Sequence, residues 1–152
     1  MTHLVRLAAP ALLLIAVPVT AQTGWTVQTA PATTAMVLGK PETAGAFRLD
    51  CSGGKMSLST WTSRLPRNVT EGEFPTRMSV FQGNREIVLG GTGRVLANGG
   101  TRLDALVAGR ESFLQGMGRN NRFVVVTFAG RSTAPAPEAA TLSEFTEACL
   151  KR

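Results

Sequence analysis

The hydrophobic positions of the chain follow three patterns. A continuous apolar run, Leu7–Val19, follows the positively charged start Met1–Arg6. From Ala46 onward the order alternates. Phe47, Leu49 and Cys51 are set against Arg48 and Asp50, and Met56 and Leu58 against Ser57, Ser59 and Trp61. A period of two puts every second side chain on one face of a strand. Ser52-Gly53-Gly54 lies between the two runs as turn material, so they predict a hairpin. Arg77–Phe81 and Arg85–Leu89, separated by Gln82-Gly83-Asn84, predict a second strand pair. Arg122–Phe128 is almost continuously apolar, which predicts a central strand covered on both faces. The third pattern is helical. Leu142, Phe145 and Cys149 recur at i, i+3 and i+7, and Thr141-Leu142-Ser143-Glu144 reads as a capping box opening that helix.

Between these segments the pattern loosens. Residues 22–45 are rich in Thr, Ala, Pro and Gly and read as a loose N-terminal arm. One or two edge strands fit within it, around Trp25–Thr29 and Thr34–Leu38. Ser63–Pro75, with Pro66, Gly72 and Pro75, reads as a long surface loop, and Gly90–Gly100 as a glycine-punctuated connection. Leu103, Leu106, Val107, Arg110, Phe113 and Leu114 fall at helical spacing, and Thr101-x-x-Asp104 offers a second capping box. Gly109 would cost that helix ~1 kcal/mol. The reading adopted is an extended Arg102–Val107, then a short helix Arg110–Met117 stopped by Gly116 and Gly118. Ser132–Glu138 reads as a Pro/Ala link. The sum is an α+β, mostly β chain. It has an antiparallel sheet or small sandwich of about six to eight strands and one or two short helices.

Two features place the protein and brace it. Met1–Arg6, the apolar run and the small residues Val19-Thr20-Ala21 form the three parts of a secretory signal, with Gln22 as the new N-terminus. The run contains Pro10 and Pro18 and falls short of the ~20 apolar residues a membrane span needs. The division is therefore a signal peptide over 1–21, the arm over 22–45 and one β-rich domain over 46–152. The product is expected to be soluble, periplasmic or secreted, with no transmembrane segment after cleavage. Export exposes Cys51 and Cys149 to an oxidising compartment, and two cysteines allow one intramolecular pairing. The spacing is far from Cys-x-x-Cys, so a structural bridge between the early strand and the last helix is expected. In the chain-entropy model so long a loop contributes up to about 4–5 kcal/mol.

Composition then removes whole classes of chemistry. The only histidine is His3, inside the signal, and there is no tyrosine. The last 131 residues, formally +5, therefore hold no Ser-His-Asp triad, no Cys-His pair, no HExxH site and no histidine switch. No cofactor motif or metal-ligand set is present. Gly90-Gly91-Thr92-Gly93-Arg94 lacks the lysine of a phosphate loop and reads as a hairpin turn or bulge. Glu71 and Glu73 lie two apart, and paired carboxylates can hydrolyse glycosides. They and Asp50 carry the alternative of a small envelope hydrolase or enzyme inhibitor, against the plainer reading of a solvated loop and a strand's polar face. Beyond the signal, Lys40, Lys55 and Lys151 are the only lysines. Arginine dominates the second half, at Arg85, Arg94, Arg102, Arg110, Arg119, Arg122 and Arg131. A guanidinium grips phosphate or carboxylate through a two-pronged fork. The first six of these, Arg85 to Arg122, are candidate contacts for a protein or an anionic envelope component, set against a merely solvated basic surface. Few aromatics accompany them and no nucleic-acid motif is present.

The order of features resembles small exported proteobacterial proteins of the invasion-associated locus B family and the type VI secretion-associated VasI proteins. The resemblance runs over about residues 46–149. It rests on the signal, on Leu49-x-Cys51-x-x-Gly54-x-Met56-x-Leu58, and on Ser112-Phe113-Leu114 before Arg122–Phe128. A Gly/Pro link then leads to a helix ending in cysteine. The resemblance implies a β-rich, non-catalytic binding or accessory module of the cell envelope or secretion apparatus, and it carries over no site residues.

Overall fold

A computed structural model describes residues 24–151; the signal segment 1–21 lies outside them. The alternation around Cys51 becomes strands β3 (Phe47–Ser52) and β4 (Lys55–Thr62), paired antiparallel with Leu49 opposite Leu58. Both leucines are fully buried, while Arg48 and Asp50 on the other face keep part of their surface. Before this hairpin come β1 (Thr26–Ala30) and β2 (Thr33–Leu38), and β2 pairs with β3. The arm is thus part of the sheet. Met36 and Leu38 join the core because β2 has a full-length neighbour in β3, and Trp25, just before β1, joins it too.

The second predicted pair extends further than its apolar residues. β5 (Glu73–Gln82) and β6 (Arg85–Val95) pair over their whole length, and β6 continues onto β7 (Thr101–Val107), which pairs with β4. Gly90, Gly91 and Gly93 therefore lie within the longest strand of the sheet and do not form a turn. The physical reason is close approach. A Cβ at Gly91 would run into the Asp104 carbonyl oxygen of β7, and one at Gly93 into the ring of Phe74 on β5. Pro75 falls inside β5, but there β5 is bonded only to β6, because β8 (Arg122–Thr127) meets it only at Ser79–Phe81. A residue without an N–H is tolerated where one side of the strand is unpaired. The Pro/Ala link is partly a ninth strand, β9 (Gly130–Pro135), antiparallel to β8. Its proline is the terminal residue of an edge strand, where no ladder bond is lost.

The strand order is β1-β2-β3-β4-β7-β6-β5-β8-β9, a single antiparallel sheet of nine strands. The sheet curls until its ends meet. Trp25 Nε1, just before β1, donates a hydrogen bond of 2.8 Å to the Pro135 carbonyl at the end of β9. Inside, Trp25, Phe47, Phe123 and Phe113 form a chain of aromatic contacts with centroids 5.4–6.3 Å apart. Helix α1 (Arg110–Gly118) leaves β7 and helix α2 (Ala139–Leu150) follows β9. They pack on one another and close the interior where β3 turns into β4. Gln82 Nε2 donates to the Phe113 carbonyl at 2.7 Å, fixing α1 to the end of β5. The Cys51–Cys149 disulfide fixes α2 to β3, with Cα atoms 5.4 Å apart, a separation typical of disulfides. The Thr141–Glu144 box lies inside α2 and does not open it. Ala139 and Ala140, good helix formers, extend the helix ahead of Thr141, and Glu138 is the N-cap without a side-chain cap hydrogen bond. The other candidate box, Thr101–Asp104, is strand β7.

Candidate functional site

The inner face of the sheet is filled by the core, so the surface available for recognition is the outer face. Cross-strand register divides it into two unlike halves. On β3, β4, β7 and the far end of β6, arginines and acids are matched. Arg48 Nη2 lies 2.7 Å from Asp50 two residues on, and that hydrogen bond holds the Arg48 guanidinium above its ordinary range despite partial burial. Arg48 stands opposite Ser59, and Ser59 opposite Asp104. The buried Ser59 hydroxyl donates to the Asp104 carboxylate, which also accepts from Arg102 Nε at 2.9 Å. The Arg102 guanidinium lies over the Trp61 ring, 5.6 Å from its centroid. Arg94 pairs with Glu73 across β6 and β5.

The other half, on β8, β9 and the Arg77–Gln82 part of β5, has cations without acids of its own. Phe81 stands opposite Val124, and Val126 opposite Arg131. With Arg122 these residues line an open groove of about 380 Å³, closed at one end by the turn at Gly83. Arg77, Arg122 and Arg131 point to this face and form no ion pair among the described residues. Glu86, opposite Phe81, is the acid closest to the groove in the ladder and is itself exposed. On the same outer face, Val88 of β6, opposite Ser79, is 59% exposed, and Leu106 of β7, further from the groove, is 64% exposed.

The candidate arginines therefore separate by role. Arg94 and Arg102 are bonded to acids of the sheet. Arg110 Nη1 donates to the Cys149 carbonyl at 2.9 Å, so it braces the end of α2. Arg85 sits exposed at the β5–β6 turn, and Arg119 forms the exposed C-cap of α1. Only Arg122 of the six lines the groove, together with Arg131. Among the acids, Asp50 is held by Arg48 and Glu73 by Arg94, while Glu71 is exposed in the loop before β5. The sequence does not single out Phe81, Val124, Val126 or Arg77 as surface-forming residues. Without β9, the pairing of Arg131 with Val126 is invisible, and an apolar run such as Phe123–Val126 reads as core on both faces.

A second groove of about 400 Å³ runs between α1 and α2, with Leu114, Leu142 and Leu150 inside it and Glu111 and Glu147 on its rim. Among the described residues no group of three His, Cys, Asp or Glu is placed to hold a metal ion. Nor is any helix there long and apolar enough to cross a membrane. Comparison with known proteins finds no matching family model, no matching curated protein and no matching solved structure.

Proposed function

We propose that the protein is an exported, non-catalytic binding or accessory module of the cell envelope or secretion apparatus, acting through the outer face of its curled sheet. The observation that carries this is the asymmetry of charge pairing on that face. Arg48, Arg94 and Arg102 are bonded to Asp50, Glu73 and Asp104, whereas Arg122 and Arg131 flank an apolar groove with no acid bonded to them among the described residues. A free cationic and apolar surface suits association with an anionic partner. The same pairing argues against a loop-carboxylate hydrolase, because Asp50 and Glu73 are both held by guanidinium groups on an open surface. Export itself is supported by the signal pattern at residues 1–21.

The test is expression of the full chain, tagged at its C-terminus, in a Gram-negative host, with fractionation and cross-linking. The expected outcome is protein in the periplasm or medium with Gln22 as its first residue, and a cross-linked partner whose recovery falls as salt is raised. Retention in the cytoplasm with residues 1–21 still attached, or no cross-linked partner at low salt, would count against this reading.

A further inference from the structure

We infer that the outer-face groove over β5, β8 and β9 binds an acidic peptide segment, which lays an apolar side chain on Phe81, Val124 and Val126 and its carboxylates against Arg122 and Arg131. This rests on the binding-module reading and gives it a site and a ligand chemistry. The first argument is charge. An exposed guanidinium is stable in water alone, so being unpaired is no sign of function by itself. Here, however, the same sheet face pairs Arg48, Arg94 and Arg102 with its own acids and leaves Arg77, Arg122 and Arg131 with none among the described residues. The missing carboxylates are those a partner would bring, and the planar guanidinium fork matches them better than an ammonium would.

The second argument is shape. Arg131 stands opposite Val126, and Val124 opposite Phe81, so cations flank a floor of apolar side chains. Val124 is only 6% exposed although it points away from the core, so this floor is recessed. A membrane-docking face presents protruding apolar side chains to the lipid. A recessed floor of about 380 Å³ instead receives an inserted side chain, and that volume is within the range of small binding pockets. The third argument is the match of chemistries. An occupant that is only anionic would leave the floor wet, and one that is only apolar would leave the arginines unused. A segment mixing carboxylates with an aliphatic or aromatic residue satisfies both.

The probe is a short, N-acetylated, fluorescein-labelled peptide alternating glutamate and leucine, read by fluorescence anisotropy and by amide chemical-shift changes in the full protein. The expected result is saturable binding that weakens with salt and shifts confined to β5, β8 and β9. A lysine–leucine peptide and a glutamate–serine peptide should both bind at least about tenfold more weakly. Arg122→Gln or Arg131→Gln should each weaken binding by about two- to fivefold. The double variant Arg122→Glu, Arg131→Glu should weaken it by more than about tenfold. Arg94→Gln, a cation loss on the other half of the face, should leave binding unchanged. All these positions are exposed, so an unchanged melting temperature shows that each variant is folded.

Absence of binding at low salt overturns the inference. So does equal binding by the double variant, or shifts centred on the α1–α2 groove. Binding to phosphatidylglycerol vesicles that the peptide does not displace assigns the face to lipid and also overturns it. The two levels separate cleanly. If the peptide does not bind at low salt, or binds the double variant equally, while the full chain still recovers a cross-linked partner from the envelope, the groove is wrong and the module reading stands.

Discussion

In β6, a methyl group added at Gly91 would meet the Asp104 carbonyl oxygen of the neighbouring strand, while one added at Gly90 would meet nothing within 4 Å. Neither residue has a positive φ, so the difference is purely one of space. Backbone cannot move aside as a flexible side chain can. Gly91→Ala should therefore lower stability by about 1–3 kcal/mol, the usual cost of overpacking. Gly90→Ala should be neutral, or stabilising by up to about 1 kcal/mol, because it only restricts the unfolded chain. Urea denaturation of the two variants checks this, and equal midpoints would remove the close-approach account of these glycines. The same point explains why the glycine cluster was misleading in the sequence. Glycine marks both turns and tight strand packing, and only the position of Asp104 on the neighbouring strand tells them apart.

At the scale of elements, the best-read segments were those whose pattern is enforced by one buried face. The β3–β4 hairpin and α2 follow from their spacing, the extended β7 ahead of α1 was read from Gly109 against a helical spacing, and the partnership of α2 with β3 through the disulfide was legible as well. What the sequence hid were the elements held mainly by neighbours. β9 contains Pro135 and few apolar residues, and it exists because β8 offers it a ladder. α2 starts at Ala139, two residues before the Thr141 box, with Glu138 as an N-cap that makes no side-chain hydrogen bond. The groove was illegible for the same reason, since its two sides belong to strands whose pairing the pattern does not state. The bridge between α2 and β3 has a measurable consequence. Cys51 and Cys149 are both essentially buried and 98 residues apart in sequence. Cross-linking so long a loop contributes up to about 4–5 kcal/mol in the chain-entropy model. Cys51→Ser should lower the melting temperature by on the order of 10 °C or more under oxidising conditions. Adding reductant should bring the wild type down towards the variant. Identical melting curves without reductant would show that the bridge contributes nothing.

For the whole molecule, the question is which residues make up the folding unit. The composition of residues 22–45 suggests an appendage, and the core suggests a component of the fold. Met36 is fully buried against the cluster, Leu38 and Trp25 join it, and β2 occupies the entire edge of β3 from Phe47 to Ser52. Trp25 does more than fill space, for its indole nitrogen holds the first strand to the last through the Pro135 carbonyl. A chain beginning at Ala46 would lose all of this at once. Removing a large buried side chain typically costs about 2–5 kcal/mol, so three of them approach the 5–15 kcal/mol that holds a typical domain folded. It would also bare the edge of β3, whose unpaired N–H and C=O groups invite pairing with another chain. The truncated protein is expected to aggregate, or to lose its cooperative thermal transition and its near-ultraviolet circular dichroism. The full chain from Gln22 should be a cooperative folder under the same conditions. A truncated chain that stays monomeric and melts within a few degrees of the full one would mean that the first two strands decorate the sheet rather than complete it. In that case, the closure between β1 and β9 could not be what gives the outer face its curvature.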